Sequence, residues 1–458
     1  MKVIICGAGQ VGFGIAERLA AERADVAVID TRANLVRSIT DTLEVRGFVG
    51  NAANPDVLAQ AGAADADMLV AVTLTDEVNM VACQVAGTLF KIPTKIARIR
   101  AQSYLKPDWR DLFTREGLPI DVIISPELEV GETVLRRLEL PGVVDVATFA
   151  DGKLTMCSTR LAEDCAVVDT PLLQLTELFP DLPARVVAVT RDGRLFVPRS
   201  VDMLLTGDIV TFLSETSQVR RTLTIFGHEE PPSSRIVIAG GGNIGVYVAQ
   251  KIEERTPKAR VRIIENTRER AVTIADQLKR TVVLHGSALE QDILREADVE
   301  HAHHVVSLTN DDQVNLLSAV LAKRLGAQHT LALTNNRGYA SFARDLGVDA
   351  TINPRAVTVS RILQHIRRGR IRSVYGIADG QAEILEAEAL ETSPLVGKPL
   401  NSGVIPEGMR IGAILRSGQI FVPTGKTKIM ANDRVVLAAL SENVRKVEQL
   451  FRVSIDYF

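Results

Sequence analysis

Short aliphatic and β-branched runs recur through the first 125 positions, at 2–6, 25–29, 45–49, 67–72, 95–99 and 120–124. Between them lie stretches with apolar positions at helical spacing, such as 10–22 and 76–91. Continuous apolar runs of that length fit strands covered on both faces, and their alternation with helices predicts right-handed βαβ units in a parallel sheet. Six such units describe a Rossmann-like, doubly wound domain at 1–125. The same pattern restarts after a Pro/Ser-rich linker at 228–234 and fills 235–353.

The restart is a repeat at residue level. KVIICGAGQVG at 2–12 returns as RIVIAGGGNIG at 235–245, and Asp30 and Glu265 both end the next apolar strand. Gly50-Asn51-Ala52 returns as Gly286-Ser287-Ala288, and TLTDEVN at 73–79 as TNDDQVN at 309–315. GRLFVP at 193–198 is echoed by GQIFVP at 418–423. The chain is a tandem duplication of a two-part module.

The second part of each module begins with proline. SPELEVGETVLRRL and NPRAVTVSRILQHI predict crossover helices at 126–142 and 354–372, with Pro126 and Pro354 in the first turn. Their apolar faces, Val130, Val134, Leu135 and Leu138 in one and Val357, Val359, Ile362, Leu363 and Ile366 in the other, do not belong to the preceding sheet. Such faces pack on another domain or subunit. After them, 143–227 and 373–458 read as small α+β domains, with hairpin turns at Asp192-Gly193 and Ser417-Gly418.

Composition then narrows the function. A net charge of −3 and 4% aromatic residues give no footprint for nucleic acid or anionic lipid. No apolar run reaches the roughly 18 residues that a bilayer span needs, and glycines at 7, 9, 12 and 14 break any signal-like start. Cys6, Cys83, Cys157 and Cys165 lack C-x-x-C spacing and read as reduced core thiols of a cytosolic protein. His301, His303 and His304 lack companions at metal-ligand spacing, and Arg367, Arg368, Arg370 and Arg372 read as a solvated helix end.

Both glycine loops, Gly7-x-Gly9-x-x-Gly12 and Gly240-x-Gly242-x-x-Gly245, follow a strand and open a helix. In that context the first glycine makes the tight turn, the second admits a pyrophosphate, and the third lets the helix press on the strand. The helix N-terminus offers free N–H groups to phosphates. A carboxylate at Asp30 or Glu265 accepts from ribose hydroxyls and repels a 2′-phosphate, favouring NAD(H) or an adenine nucleotide over NADP(H). The two sites differ: Arg98 aligns with Leu333 and Arg100 with Asn335, so the second lacks a cation over the phosphates and is expected to bind more weakly. Thr73, Thr75 and Asp76 can touch ribose or nicotinamide but form no acid–base pair. No Ser/His/Asp or Tyr-x-x-x-Lys constellation is present, so binding read out as shape is expected rather than catalysis.

These motifs, with KIARIR at 95–100, PLLQL…VVAVTRDGRLFVP…LLTGDIVTFL and PLVGKPL…IGAILRSGQIFVP…IMANDRVVLAAL, resemble over essentially the whole chain the TrkA family of bacterial Trk-type potassium uptake systems. In that family two RCK units stand in tandem, each a KTN-type Rossmann domain followed by a TrkA-C domain. The resemblance implies a nucleotide-sensing, non-enzymatic regulatory subunit, peripheral to the inner membrane on the cytoplasmic side. It would assemble with its own copies into an RCK ring beneath an integral-membrane potassium transporter and gate it through ligand-dependent shape change. The implied ligands are NAD(H) and, as a second class, ATP or ADP. Carried over by position, Gly7, Ala8, Gly9, Gln10, Val11, Gly12, Asp30, Asn51, Ala52, Thr73, Leu74 and Arg98 would line the first site. Gly240, Gly241, Gly242, Asn243, Ile244, Gly245, Glu265, Ser287, Ala288, Thr309 and Asn310 would line the second. A soluble NAD-dependent oxidoreductase, or a regulatory module of another transporter, is the alternative.

Overall fold

A computed structural model describes every residue except 22, 115–116, 180–183, 230–233, 367–370 and 452–458. Most of the linker at 228–234 and the arginines at 367–370 therefore lie outside the described residues. The chain divides into two units, one formed by 1–131 with 352–366, the other by 132–351 with 367–458.

The first unit carries strands β1 (Lys2–Cys6), β2 (Asp25–Asp30), β3 (Arg46–Val49), β4 (Met68–Ala71), β5 (Thr94–Arg98) and β6 (Val122–Ile124). They form one sheet in the order β3-β2-β1-β4-β5-β6, with every pair parallel. The order reverses between β1 and β4, and ligands of doubly wound sheets bind at the carboxyl ends beside such a switch point. Alternate side chains of these strands feed two cores. One, around Ile4, Leu69, Ala97 and Ile99, is covered by helix Asp76–Thr88. The other, around Val3, Ile5, Val28 and Ile96, takes Ile15 and Leu19 from helix Gln10–Ala21 and Ile362, Leu363 and Ile366 from helix Pro354–Ile366. The crossover helix of the second module thus completes the core of the first Rossmann domain. It is started by Asn353, whose Oδ1 accepts from the backbone N–H groups of Arg355 and Ala356, with proline next in line.

The second unit contains three sheets. β7 (Val143–Phe149), β8 (Leu154–Arg160), β9 (Ala184–Arg191), β10 (Arg194–Phe196) and β11 (Ile209–Glu215) form an antiparallel sheet in the order β10-β9-β11-β8-β7. The second Rossmann sheet is built from β12 (Arg235–Ala239), β13 (Arg260–Glu265), β14 (Val282–His285), β15 (His304–Ser307), β16 (His329–Leu333) and β17 (Ala350–Ile352), ordered β14-β13-β12-β15-β16-β17 as in the first. Last come β18 (Ile371–Ile377), β19 (Ala382–Glu388), β20 (Met409–Arg416), β21 (Gln419–Phe421) and β22 (Arg434–Leu440), ordered β18-β19-β22-β20-β21. This is the strand order of the other small sheet, position for position. The two small sheets share one apolar core, in which Phe149, Met156, Val187 and Leu213 meet Ile377, Ile384, Ala413 and Val436.

The duplication extends to the polar framework. Arg191 grips the buried Asp208 through Nε and Nη2 at 2.9 and 2.8 Å, and Arg416 grips Asp433 at 2.8 and 2.7 Å. Each aspartate also accepts a loop N–H, from Leu205 or Met430, which ties the hairpin to the next strand. The turns at Asp192-Gly193 and Ser417-Gly418 have both residues at positive φ, as a two-residue hairpin requires.

Candidate nucleotide sites

Each glycine loop lies at the carboxyl end of the central strand. Gly7 has φ +116° and Gly240 φ +112°, and a side chain on either would strike the backbone of Val72–Thr73 or Leu308–Thr309. A Cβ on Gly12 or Gly245 would run into the carbonyl oxygen of Gly7 or Gly240. First and third glycines are therefore required by the fold itself. The middle glycines are not: a Cβ on Gly9 or Gly242 would meet nothing within 4 Å, and neither has a left-handed φ.

The strand-end carboxylates are wired to these loops. Asp30 accepts from the N–H of Ala8 at 2.8 Å and of Arg32 at 2.9 Å. Glu265, one carbon longer and buried, accepts from Gly241 at 2.8 Å and Thr267 at 2.9 Å. In the second site Arg270 also donates from Nε to the Gly241 carbonyl at 2.9 Å, where the first module has Leu35. Gln10 and Asn243 are exposed at the opening of their helices, while Ala8 and Val11 are buried beneath the loop. Ile244 is half-buried.

On the other side of the switch point, Thr73 and Thr309 are each held by a fully buried asparagine. Asn79 Oδ1 accepts from the N–H of Thr73 at 2.9 Å and its hydroxyl at 2.7 Å, and Asn79 Nδ2 donates to the Arg98 carbonyl at 2.8 Å. Asn315 repeats this with Thr309 at 2.8 and 2.7 Å and with the Leu333 carbonyl at 3.1 Å. These asparagines clamp the ends of neighbouring strands. They stood in the repeated TLTDEVN and TNDDQVN motifs, and the repetition of Asn at one helical position was the signal that could have found them. Asp76 is turned to the backbone: its carboxylate accepts from the N–H groups of Arg100 and Ala101, as Asp312 does from Asn335 and Asn336. It therefore organises the loop after β5. Leu74 and Asn310 stand exposed beside these clamps. Asn51 and Ser287 cap the turns after β3 and β14, accepting from Ala53 and Leu289, with Ala52 and Ala288 buried below.

Arg98 is 9% exposed, forms no ion pair or side-chain hydrogen bond among the described residues, and has a buried Nε without a partner. Burial, and then the neighbouring Arg100, push its pKa below the ordinary arginine range. Arg100 itself is paired with Glu127 at 3.0 Å. At the matching place in the second module Leu333 is buried and apolar. All four cysteines are buried and free, and burial pushes the Cys6 thiol up to about 12. His301 hydrogen-bonds Asp298 at 2.6 Å, and His304 stacks on His329.

The TrkA-N domain pattern matches residues 3–126 and again 236–354, and the TrkA-C domain pattern matches 384–452. Over its full length the chain is 58% identical to the Trk system potassium uptake protein TrkA of Azorhizobium caulinodans, covering 100% of both chains. The same-named proteins of Halomonas elongata and Vibrio alginolyticus are 39% and 37% identical, covering 100% and 99% of both chains. The chain belongs to the TrkA family. It is a regulatory subunit of potassium uptake and not an enzyme. Among solved structures, the GsuK channel superposes with a TM-score of 0.62 at 17% identity, over 98% of this chain and 78% of that one. The GsuK RCK domain gives 0.60 at 17% identity, over 98% and 94%. The chain thus shares the fold of the GsuK RCK domain. The TrkA-C pattern is found here only in the second small domain, and the first is recognised by its identical strand order. No helix among the described residues is long and apolar enough to cross a membrane.

Proposed function

We propose that this TrkA protein is a nucleotide sensor that assembles into an RCK ring on the cytoplasmic face of an integral-membrane potassium transporter and gates it. The observation that carries the nucleotide reading is the pair of middle glycines: neither packing nor backbone conformation calls for glycine at 9 or 242, whereas a pyrophosphate lying on the loop does. In the first site the glycine loop would hold the diphosphate, Asp30 the adenosine ribose, and Arg98 would supply the counter-charge. A buried guanidinium without a carboxylate is costly, and an anionic ligand removes that cost. NAD(H) is the favoured ligand there because Asp30 repels a 2′-phosphate. Structures of the fold neighbour GsuK carry NAD and ADP in their names, in keeping with the same ligand classes.

The second site keeps the loop and Glu265 but offers Leu333 in place of the arginine, so it binds more weakly or takes a less anionic nucleotide. Ligand-driven gating needs a difference in affinity between two states of the ring. Moving a ring from 1:99 to 99:1 takes about 5.5 kcal/mol in total, which several sites can share. The deciding experiment is calorimetric titration of the purified chain with NADH, NAD, ATP and ADP. Two unequal sites per chain are expected, the tighter lost in Asp30→Ala and the weaker in Glu265→Ala, with melting behaviour retained. Unchanged NADH affinity in a folded Asp30→Ala protein would refute the assignment of the first site.

A further inference from the structure

The two glycine loops carry their positive charge at different places. In the first module the cation is Arg98 at the end of β5, and position 35, on helix Ala33–Thr42 after β2, is a leucine packed against the apolar core. In the second module position 333 is the leucine, and the residue equivalent to Leu35 is Arg270, in the first turn of helix Arg268–Gln277. Arginine and leucine have exchanged places between the two sites. The strand-end carboxylates sit on β2 and β13, whereas β5 and β16 lie beyond the switch point from them. The exchange therefore moves the charge from one side of the glycine loop to the other.

Arg270 is held where a ligand on the loop would meet it. Its Nε donates to the carbonyl oxygen of Gly241, the residue between the first two glycines of the motif, at 2.9 Å. The side chain is half-buried, and Nη1 and Nη2 have no partner among the described residues, yet neither is closed off from solvent. With Nε fixed, the two Nη groups are the end of the guanidinium left to take oxygens. Glu265 does not neutralise it: Oε2 accepts from the N–H of Gly241 at 2.8 Å and Oε1 from that of Thr267 at 2.9 Å, and the side chain is buried. Its extra methylene, relative to Asp30, fits because Gly241 has no side chain. A Cβ there would stand 3.0 Å from Oε2 and 2.5 Å from Ile274 Cδ1. In the first module the exposed Arg32 lies 3.5 Å from the Asp30 carboxylate, so the cation on that side of the loop is already paired.

We propose that Arg270 is the specificity-determining cation of the second nucleotide site, and that this site holds an adenosine nucleotide by the phosphate next to its ribose. The inference rests on the reading of the glycine loops as nucleotide sites and adds which part of the ligand the second one recognises. In that reading the adenosine ribose lies toward the strand-end carboxylate, and the phosphate chain crosses the loop toward β15 and β16. Arg270 stands on the ribose side and reaches the proximal phosphate. At the far end the place of Arg98 is taken by the buried, apolar Leu333. Lengthening the phosphate chain therefore adds charge that the first site can meet and the second cannot. The first site discriminates by the distal part of its ligand, and the second by the presence of a proximal phosphate. AMP and ADP represent the class that the second site takes.

The test is equilibrium dialysis of the full chain with adenosine, AMP, ADP and ATP in the Asp30→Ala background, which silences the first site. AMP is expected to bind about tenfold or more tightly than adenosine, the gain of a charge-assisted hydrogen-bonded contact, with ADP and ATP within about threefold of AMP. Arg270→Leu, which installs the residue of the first module, should abolish the preference for AMP and leave adenosine affinity unchanged. An arginine that merely holds Gly241 in place would, when removed, weaken adenosine and AMP together. The exchange can also be run in reverse: Leu35→Arg with Arg98→Leu, in a Glu265→Ala chain, should give the first site the ligand order of the second. An AMP-to-adenosine ratio that survives in Arg270→Leu overturns the role of Arg270 while leaving the second site standing, as does an equal loss of both ligands. If the Asp30→Ala chain binds none of these nucleotides while the wild type does, the second site itself is refuted, and the inference with it.

Discussion

Gly9 and Arg98 illustrate how a single position can be uneconomical for the fold and informative about function. Gly9→Val puts a branched side chain into open space at an ordinary backbone conformation. The expected outcome is a melting temperature close to wild type with NADH affinity reduced at least tenfold in a titration; strong binding by the variant would show that the loop does not carry the diphosphate. Arg98→Leu installs the residue that the second module uses. Replacing a buried, unpaired charge by an apolar side chain should stabilise the ligand-free protein by about 1–3 kcal/mol while weakening nucleotide binding at the first site. The reciprocal change, Leu333→Arg, should strengthen nucleotide binding at the second site and destabilise the apo protein. If calorimetry finds neither shift in affinity, the asymmetry between the sites has another origin. The glycines, the strand-end carboxylates and the Arg98/Leu333 difference were all legible in the sequence, because each is a residue type at a fixed distance from a strand end. The Asn79 and Asn315 clamps and the redirection of Asp76 to the backbone were not, since a polar residue in the first turns of a helix reads the same whether it faces ligand or backbone.

At the scale of elements, the alternation of aliphatic runs and amphipathic stretches was enough to predict both parallel sheets, because strands buried on two faces leave an unbroken apolar run. What the pattern could not reveal was which partner the crossover helices choose. The apolar face of helix Pro354–Ile366 fits several surfaces equally well by sequence; Gly14 lets it approach helix Gln10–Ala21, with Val359 at the place a Cβ would crowd. In the second unit Tyr247, the counterpart of Gly14, instead donates its hydroxyl to Glu132 of the other crossover helix at 2.6 Å. The lower edge of the second Rossmann sheet holds a further element-level feature. His304 on β15 stacks on His329 of β16, their centroids 4.9 Å apart, and burial, with His329, His303 and Lys323 adding positive charge nearby, pushes its pKa down to about 3. A histidine whose folded pKa lies below its unfolded value of about 6.5 binds a proton more readily when unfolded. Its stabilising effect is complete above pH 6.5 and is lost as pH falls toward 3, a change on the order of 4 kcal/mol. His304→Phe, which keeps an aromatic stack, should flatten this acid limb in melting curves recorded from pH 7 to pH 4. An acid limb of unchanged steepness would mean that other groups dominate it.

For the whole molecule, the duplication sets the terms. Tandem fusion gives one chain two Rossmann domains and two TrkA-C domains, so a closed assembly needs fewer chains, and the two copies of each part are free to diverge. The TrkA-C pair has kept its Arg191–Asp208 and Arg416–Asp433 contacts alike, whereas the nucleotide sites differ at 98 and 333. The proposed ring needs a contact surface on each Rossmann domain. Val81 and Leu317 occupy the same helical position in the two Rossmann domains, 45% and 51% exposed, and each unit adds further exposed apolar side chains: Leu89 and Trp109 in the first, Phe342 and Leu346 in the second. Single exposed apolar residues are ordinary, but exposure repeated at an equivalent position of both modules is what a ring with repeated contacts between copies would require. The double variant Val81→Glu/Leu317→Glu should shift the protein from oligomer toward single chains in light scattering coupled to size exclusion. Because both positions are solvent-facing, its melting temperature should fall little, and its NADH affinity per chain should persist if each binding site is contained within its own Rossmann domain. An oligomer that survives both charges would place the ring contacts on other surfaces. If assembly and nucleotide binding were lost together, the first site would require a neighbouring copy, and gating would have to be understood at the joint between chains.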